Sequence, residues 1–182
     1  MPSHQVVLTY KEYEALPADG RRYEIHEREL SAVPAPSPEH QIISGNLFTV
    51  PSSHVKANGI GRVLYAPLDV ILSDTSIVQL DIIYLDPARL GSLSHRGVEG
   101  PPTLVVEILS PTTTLIDRST KHQLNARYGV PFFWLVDPEG RSVDTFVLGP
   151  QGYSLAVRAF GSEPVSPPPF HGLSLTPASL WP

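Results

Sequence analysis

Two carboxylates interrupt apolar runs of this chain, and a lysine follows them. Asp81 lies within residues 77–85 (IVQLDIIYL), Glu107 within residues 103–110 (TLVVEILS), and Lys121 closes residues 112–121 (TTTLIDRSTK). A charged group at the centre of an apolar strand costs several kcal/mol or more unless something pairs it. Two such acids in neighbouring strands point to use rather than accident. A carboxylate pair can hold a divalent cation that activates water, and a lysine beside it can orient that water or neutralise developing charge. The chain has no cysteine, which excludes thiolate sites and disulfides. Hard oxygen donors then favour Mg2+ or Mn2+.

Each residue alone has a plainer account. Alternation puts Glu107 on one face with Thr103, Val105 and Leu109, where a buried salt bridge or a strand end reaching solvent would satisfy it. Asp81 shares its face with Gln79, Ile83 and Leu85. Lys121 follows Asp117 by four residues, the spacing and order of a routine ion pair on a helix surface. Yet the chain carries ten arginines and three lysines, and the pKa of a lysine responds to burial as that of an arginine does not. Joint occurrence favours the trio. The helix carrying Lys121 begins just after the Glu107 strand ends, and its first turns can return the amine toward both acids. Glu24, between Tyr23 and Ile25 in a short strand, and His40, in the first turn of a helix, are further candidates. His26 and His122 read as surface groups, and the histidines make no convincing zinc spacing. The chain has neither a Gly-rich phosphate loop nor a G-x-S-x-G elbow.

The elements that must position these residues follow from pattern. Thr9 and Glu12 make a capping box for a helix over residues 9–16. Residues 22–27 and 29–33 read as a hairpin. Ser37, Pro38 and Glu39 start a helix with Ile42, Ile43, Leu47 and Val50 on its buried face; Pro51 should kink or interrupt it, and Gly59 marks its exit. Strands are expected at residues 63–66, 68–72 and 77–85, then a loop over 87–102. A central strand at 103–109 precedes a helix over 115–128, stopped by Gly129. Residues 132–136 form a buried strand with Trp134 in the core and Asp137 in the turn beyond. A hairpin of residues 143–148 and 153–160 and a short helix near 177–180 close the chain. Proline is frequent, 20 residues or about 11 % against a usual ~5 %. Residues 164–169 (PVSPPP) read as an extended surface loop. The sum is a mixed sheet flanked by helices, an α/β or α+β domain.

At 182 residues, 41 % of them hydrophobic and 17 % charged, the chain is expected to fold as one domain over residues 1–182 rather than to be disordered. No apolar run approaches the roughly 20 residues of a membrane span. The first residues lack the basic start and apolar stretch of a signal peptide, so a cytoplasmic address is expected. The net charge of −5 does not advertise nucleic-acid binding. Arg21, Arg22, Arg118, Lys121, His122 and Arg127 could still gather into a local basic patch.

Together these stretches resemble the Uma-two family of restriction endonucleases, within the PD-(D/E)XK nuclease superfamily. The likeness runs in order through LTYKEY (residues 8–13), RYEI (22–25), PAPSPEHQ (34–41), APLDV (66–70), VVEILSPTT (105–113), DRSTK (117–121), YGVP (128–131) and WLVDP (134–138). It implies a restriction-endonuclease-like fold, a central mixed sheet between helices, and Mg2+-dependent hydrolysis of DNA by an endonuclease. It places the acidic motif on Asp81 and Glu107 and adds the main-chain carbonyl of Ile108 as a metal ligand. The lysine that usually stands two residues after the second acid is replaced by Leu109, and Lys121 on the next helix takes its part. Glu24 matches an additional acid that would orient Lys121 or help bind the metal, and His40 a recurring family position. Leu80 stands where proline commonly precedes the aspartate, Arg28 where a turn glycine is expected, and Asn125 where tyrosine is common. Cutting both strands would favour a homodimer, and a restriction role would imply a methyltransferase partner. The alternatives are a catalytically silent nuclease-like binding or interaction module, and a hydrolase acting on a smaller phosphate ester.

Overall fold

The structure, a computed structural model, describes residues 8–17, 19–110 and 121–182. Helix α1 (Tyr10–Glu14) carries the expected Thr9–Glu12 capping box. Strands β1 (Arg22–His26) and β2 (Glu29–Val33) form the expected hairpin. Its two turn residues, Glu27 and Arg28, both have positive φ, 48° and 83°, as a tight two-residue hairpin loop demands. Arg28 thus adopts the backbone of the glycine that the pattern leads one to expect. Its N–H donates to the Thr75 carbonyl at 3.0 Å, which offsets part of the steric cost.

Helix α2 (Pro38–Asn58) starts at Ser37, whose hydroxyl accepts the His40 N–H, and leaves through Gly59 in the left-handed conformation. Pro51 does not interrupt it, contrary to expectation. Ile43, Leu47, Pro51 and Val55 are its buried residues, four apart in sequence, so the proline ring lies on the packed face. Burial of that whole row outweighs the proline, which costs about 3 kcal/mol in an isolated helix interior.

Strands β3 (Arg62–Tyr65), β4 (Asp69–Ser73), β5 (Ser76–Gln79) and β6 (Ile82–Leu85) come next. The single strand expected over residues 77–85 is therefore two strands, and Asp81 sits in the break rather than at a strand centre. The packing explains it. Val78 and Leu80 share one core with Ile83 and Leu85, and an unbroken strand would throw 80 and 83 to opposite faces. The break changes the parity and buries both sets together.

Residues 87–102 are less irregular than expected. A 3-10 turn (Leu90–Ser92) leads into strands β7 (Leu93–Ser94) and β8 (Gly97–Glu99), and β8 lies parallel to β4. Then come β9 (Leu104–Ile108), α3 (His122–Arg127), β10 (Phe132–Asp137), β11 (Ser142–Gly149) and β12 (Gly152–Phe160). Helix α3 is the described part of the helix expected over 115–128; residues 115–120 lie outside the described residues.

Instead of one mixed sheet the strands make two, each of six: β2-β1-β5-β4-β8-β7 and β12-β11-β10-β9-β6-β3. The second is central in the sense expected, with β9 antiparallel to β6 and parallel to β10. One of its faces, with Ile82, Val106, Ile108 and Trp134, packs beneath Ile43, Leu47 and Val55 of α2 and the C-terminal Phe170 and Leu175. The other, with Ile83, Val105 and Phe133, meets Val70, Val78 and Val98 of the first sheet and Leu124 of α3. The proline-rich stretch 164–169 helps to close the first core rather than merely looping over the surface. Val165 pairs with Leu175, and the Pro168 carbonyl accepts the Trp134 Nε1–H at 2.7 Å. The terminal helix is a 3-10 turn, Pro177–Ser179. No helix among the described residues is long and apolar enough to cross a membrane.

Candidate active site

Glu107 lies on β9 two residues from Val105, so its side chain points into the space between the two sheets. On β1, Ile25 turns the other way, onto Ile71 and Ile77 beneath α1. Alternation therefore sends Glu24 and His26 toward the same interior. Lys121, at the start of α3, stands between the two acids: its Nζ is 3.2 Å from Glu107 Oε2 and 3.8 Å from Glu24 Oε1. All three side chains are buried. The alternative partner considered for Lys121, Asp117, lies outside the described residues.

Glu24 is held at both oxygens. Its Oε1 accepts the Gln79 N–H at 2.6 Å, and its Oε2 lies 2.9 Å from His26 Nε2. Burial pushes its pKa up, but the His26 hydrogen bond, the Lys121 charge and the Gln79 amide together leave it below the usual glutamate value. It stays ionised at neutral pH.

Asp81 approaches from the break between β5 and β6. Its Oδ2 accepts the Ile108 N–H at 2.8 Å and lies 3.3 Å from His40 Nε2. Its carbonyl accepts the Ala66 N–H at 3.0 Å. The amide that holds Asp81 thus directly follows Glu107, and the two carboxylates open on one cleft. That cleft, about 600 Å³, is lined by Asp81, Glu107, Ile108, Lys121 and His40 at one end and by Phe48, Tyr65 and Pro34 toward the other.

The profile of the Uma2 family, described as "Putative restriction endonuclease", matches residues 10–178. The chain belongs to the Uma2 family. It is also similar to a solved structure titled "Crystal structure of a putative nuclease belonging to DUF820", from Anabaena variabilis ATCC 29413. The TM-score is 0.76 at 22 % identity, over 94 % of this chain and 96 % of that one. At that identity the likeness establishes the fold, which is the restriction-endonuclease-like α+β class expected from the sequence. No curated protein matches the chain significantly. Uma2 membership supports a nuclease role.

The donors in this Uma2 protein fit a hard divalent cation. Asp81 and Glu107 present carboxylate oxygens to one cleft, and among the described residues no group of three or more His, Cys, Asp or Glu forms a closed side-chain ligand set. A site with one or two carboxylates is of the kind that holds a hard divalent cation together with several waters. Leu109, where the superfamily lysine usually sits, is buried, and the amine reaches Glu107 from α3 instead.

Two residues at the site were missed by sequence reasoning. His26 is half-buried on Glu24 rather than a surface group; its i, i+2 spacing from Glu24 on one strand was the available signal. Gln79 acts through its backbone N–H, and no side-chain type announces that. His122 is also no surface group. Its ring packs 5.4, 5.2 and 4.8 Å from those of Phe133, Phe146 and Tyr153, and burial lowers its pKa. Of the residues that could gather into a basic patch, Arg22 and Lys121 line the same cleft. Arg21 pairs with Asp19 and Arg127 with Glu27. Arg22 donates to the Pro34 carbonyl, Lys121 is interior, and Arg118 lies outside the described residues.

Proposed function

We propose that this Uma2 protein is a metal-dependent endonuclease that hydrolyses DNA phosphodiester bonds. The observation that carries the reading is the double tie at residues 107 and 108: the Lys121 ammonium on the Glu107 carboxylate, and Asp81 on the Ile108 amide. Asp81, Glu107 and the main-chain carbonyl of Ile108 would hold Mg2+ or Mn2+, which when bound polarises a phosphate and lowers the pKa of water. Lys121 contributes a fixed positive charge beside these oxygens, placed to hold the attacking water or to stabilise charge growing on the phosphate. Glu24 pulls Lys121 from the far side and so sets its position, while His40 orients Asp81. Cutting both strands of a duplex goes with a homodimer, which light scattering tests.

The experiment is incubation of the pure protein with supercoiled plasmid and with circular single-stranded DNA, with Mg2+, with Mn2+ and with chelator. Circular substrates register internal cuts alone. The wild type is expected to cut with metal and not with chelator, and Asp81→Ala and Lys121→Ala to leave the DNA intact. Identical products from all three proteins would overturn the reading. Intact DNA in every arm would also overturn it and favour the catalytically silent nuclease-like module.

A further inference from the structure

Along the cleft from the acids lies an aromatic wall for which the hydrolytic chemistry has no use. Tyr65 is 59 % exposed, yet its ring is not loose: Phe48 of α2 meets it edge-on, centroids 4.7 Å apart and planes at 66°. The backbone fixes it relative to Asp81. Tyr65 pairs with Ile82, and the following amide, Ala66 N–H, donates to the Asp81 carbonyl. His40, Gln41, Ser44, Gly45 and Phe48 of α2 all line the same cleft. They share one helix face and run about 12 Å from the acids to the aromatic pair. A Cβ at Gly45 would meet nothing within 4 Å, so the wall is open there rather than packed.

Charge narrows what this wall can hold. Proteins that grip a duplex do so through many lysine and arginine contacts to phosphate. Here Arg21, Arg89, Arg96, Arg127 and Arg158 pair with acids of the same chain, Arg22 lines the cleft and donates to the Pro34 carbonyl, and the net charge is −5. Among the described residues that line the cleft, Arg22 and Lys121 are the arginine and the lysine, too few to carry a duplex on phosphate contacts alone. A braced, exposed ring together with basic side chains along a groove is the arrangement by which proteins bind unpaired strands, since every base offers a face to stack. A base inside an intact duplex has no free face.

We propose that Tyr65, propped by Phe48, stacks an unpaired base beside the phosphate to be cut, so that the site takes single-stranded DNA in preference to intact duplex. The proposal rests on the nuclease reading for the identity of the polymer but not for the stacking itself. Its test is binding in chelator, where no cutting occurs, of a single-stranded oligonucleotide carrying 2-aminopurine and of the same sequence as duplex. Wild type is expected to bind the single strand at least tenfold more tightly, to quench 2-aminopurine, and to show a shallow salt dependence. Tyr65→Ala should lose about tenfold in single-strand affinity, about 1.4 kcal/mol, and the quenching with it. Tyr65→Trp should restore both, and Gly45→Leu, which fills the cleft, should weaken binding. Phe160→Ala, removing a ring 68 % exposed on β12, should change nothing. Equal binding by Tyr65→Ala and wild type, preference for duplex, or no binding of either form would overturn the proposal. Metal-dependent cutting lost in Asp81→Ala but indifferent to Tyr65 would sink the stacking alone. Tyr65-dependent binding without cutting under any metal would sink the nuclease reading alone.

Discussion

Glu24, Lys121 and Glu107 lie within the protein, their side chains 5, 11 and 3 % exposed, whereas Asp81 and His40 stand at the cleft with 18 and 16 %. The inner group is a cation clamped between two anions, and each member needs the others because an unpaired buried charge is so costly. The outer pair is more open, and Asp81 is met by the Ile108 N–H and by His40. Charges in the inner group are immobilised before any substrate arrives, which is what electrostatic stabilisation of a transition state requires. On the proposed reading, a hydrated cation and a phosphate would approach from the side of the outer pair. The site thus divides into a buried part whose charges are fixed and a more open part, with Glu107 and Lys121 lining the cleft that the two share.

The largest expected effect comes from breaking the inner group. Lys121→Met leaves Glu24 and Glu107 buried without their shared cation, so urea unfolding should show a loss of about 3–5 kcal/mol together with loss of cleavage. Asp81→Asn, at the cleft, should abolish cleavage while stability changes by no more than about 1 kcal/mol. Equal destabilisation by the two would erase the division. Next, His26→Ala strips Glu24 Oε2 of its partner and should cost about 1–3 kcal/mol in the same measurement. The retained Gln79 amide should spare part of the activity. Arg28→Gly relaxes the positive-φ turn of the hairpin that carries Glu24, and should raise stability by about 1 kcal/mol at unchanged cleavage.

The smallest effect is set by pH. Burial lowers the His122 pKa below its ordinary 6.5, so the unfolded chain takes the proton first. The stability from the neutral ring is complete above pH 6.5 and declines as pH falls through that value toward the folded pKa. The Glu24 pKa is depressed from 4.5, so its contribution is present above that pH and is lost only in stronger acid. Melting temperatures between pH 7 and 5 should therefore fall less in His122→Phe than in wild type. A parallel fall in both would contradict the aromatic burial of the ring.

Residue types and short patterns made much of this legible. The capping box at Thr9, the Ser37-Pro38 start and the Gly59 exit are local chemistry, and each stands where the sequence places it. The pairing of Glu107 with Lys121 was legible because buried charges in apolar runs demand partners, whereas Asp81 lines the same cleft from a break that the pattern did not show. What could not be read was decided by packing over distance. Gln79 and Asp81 alternate with apolar residues as in one strand, and nothing between them signals that Leu80 must share a core face with Ile83. Pro51 looked like a helix breaker until its ring was seen among Ile43, Leu47 and Val55. His122 and His26 are polar types that tertiary neighbours, not local sequence, draw inside.

The most direct measurement is titration of Mn2+ into the metal-free protein by calorimetry, comparing wild type with Asp81→Asn. Wild type should bind the ion, and Asp81→Asn should bind it at least tenfold more weakly, about 1.4 kcal/mol, at an unchanged unfolding midpoint. Equal affinity in the two proteins, or no binding by wild type, would contradict a metal-dependent nuclease site at Asp81 and Glu107.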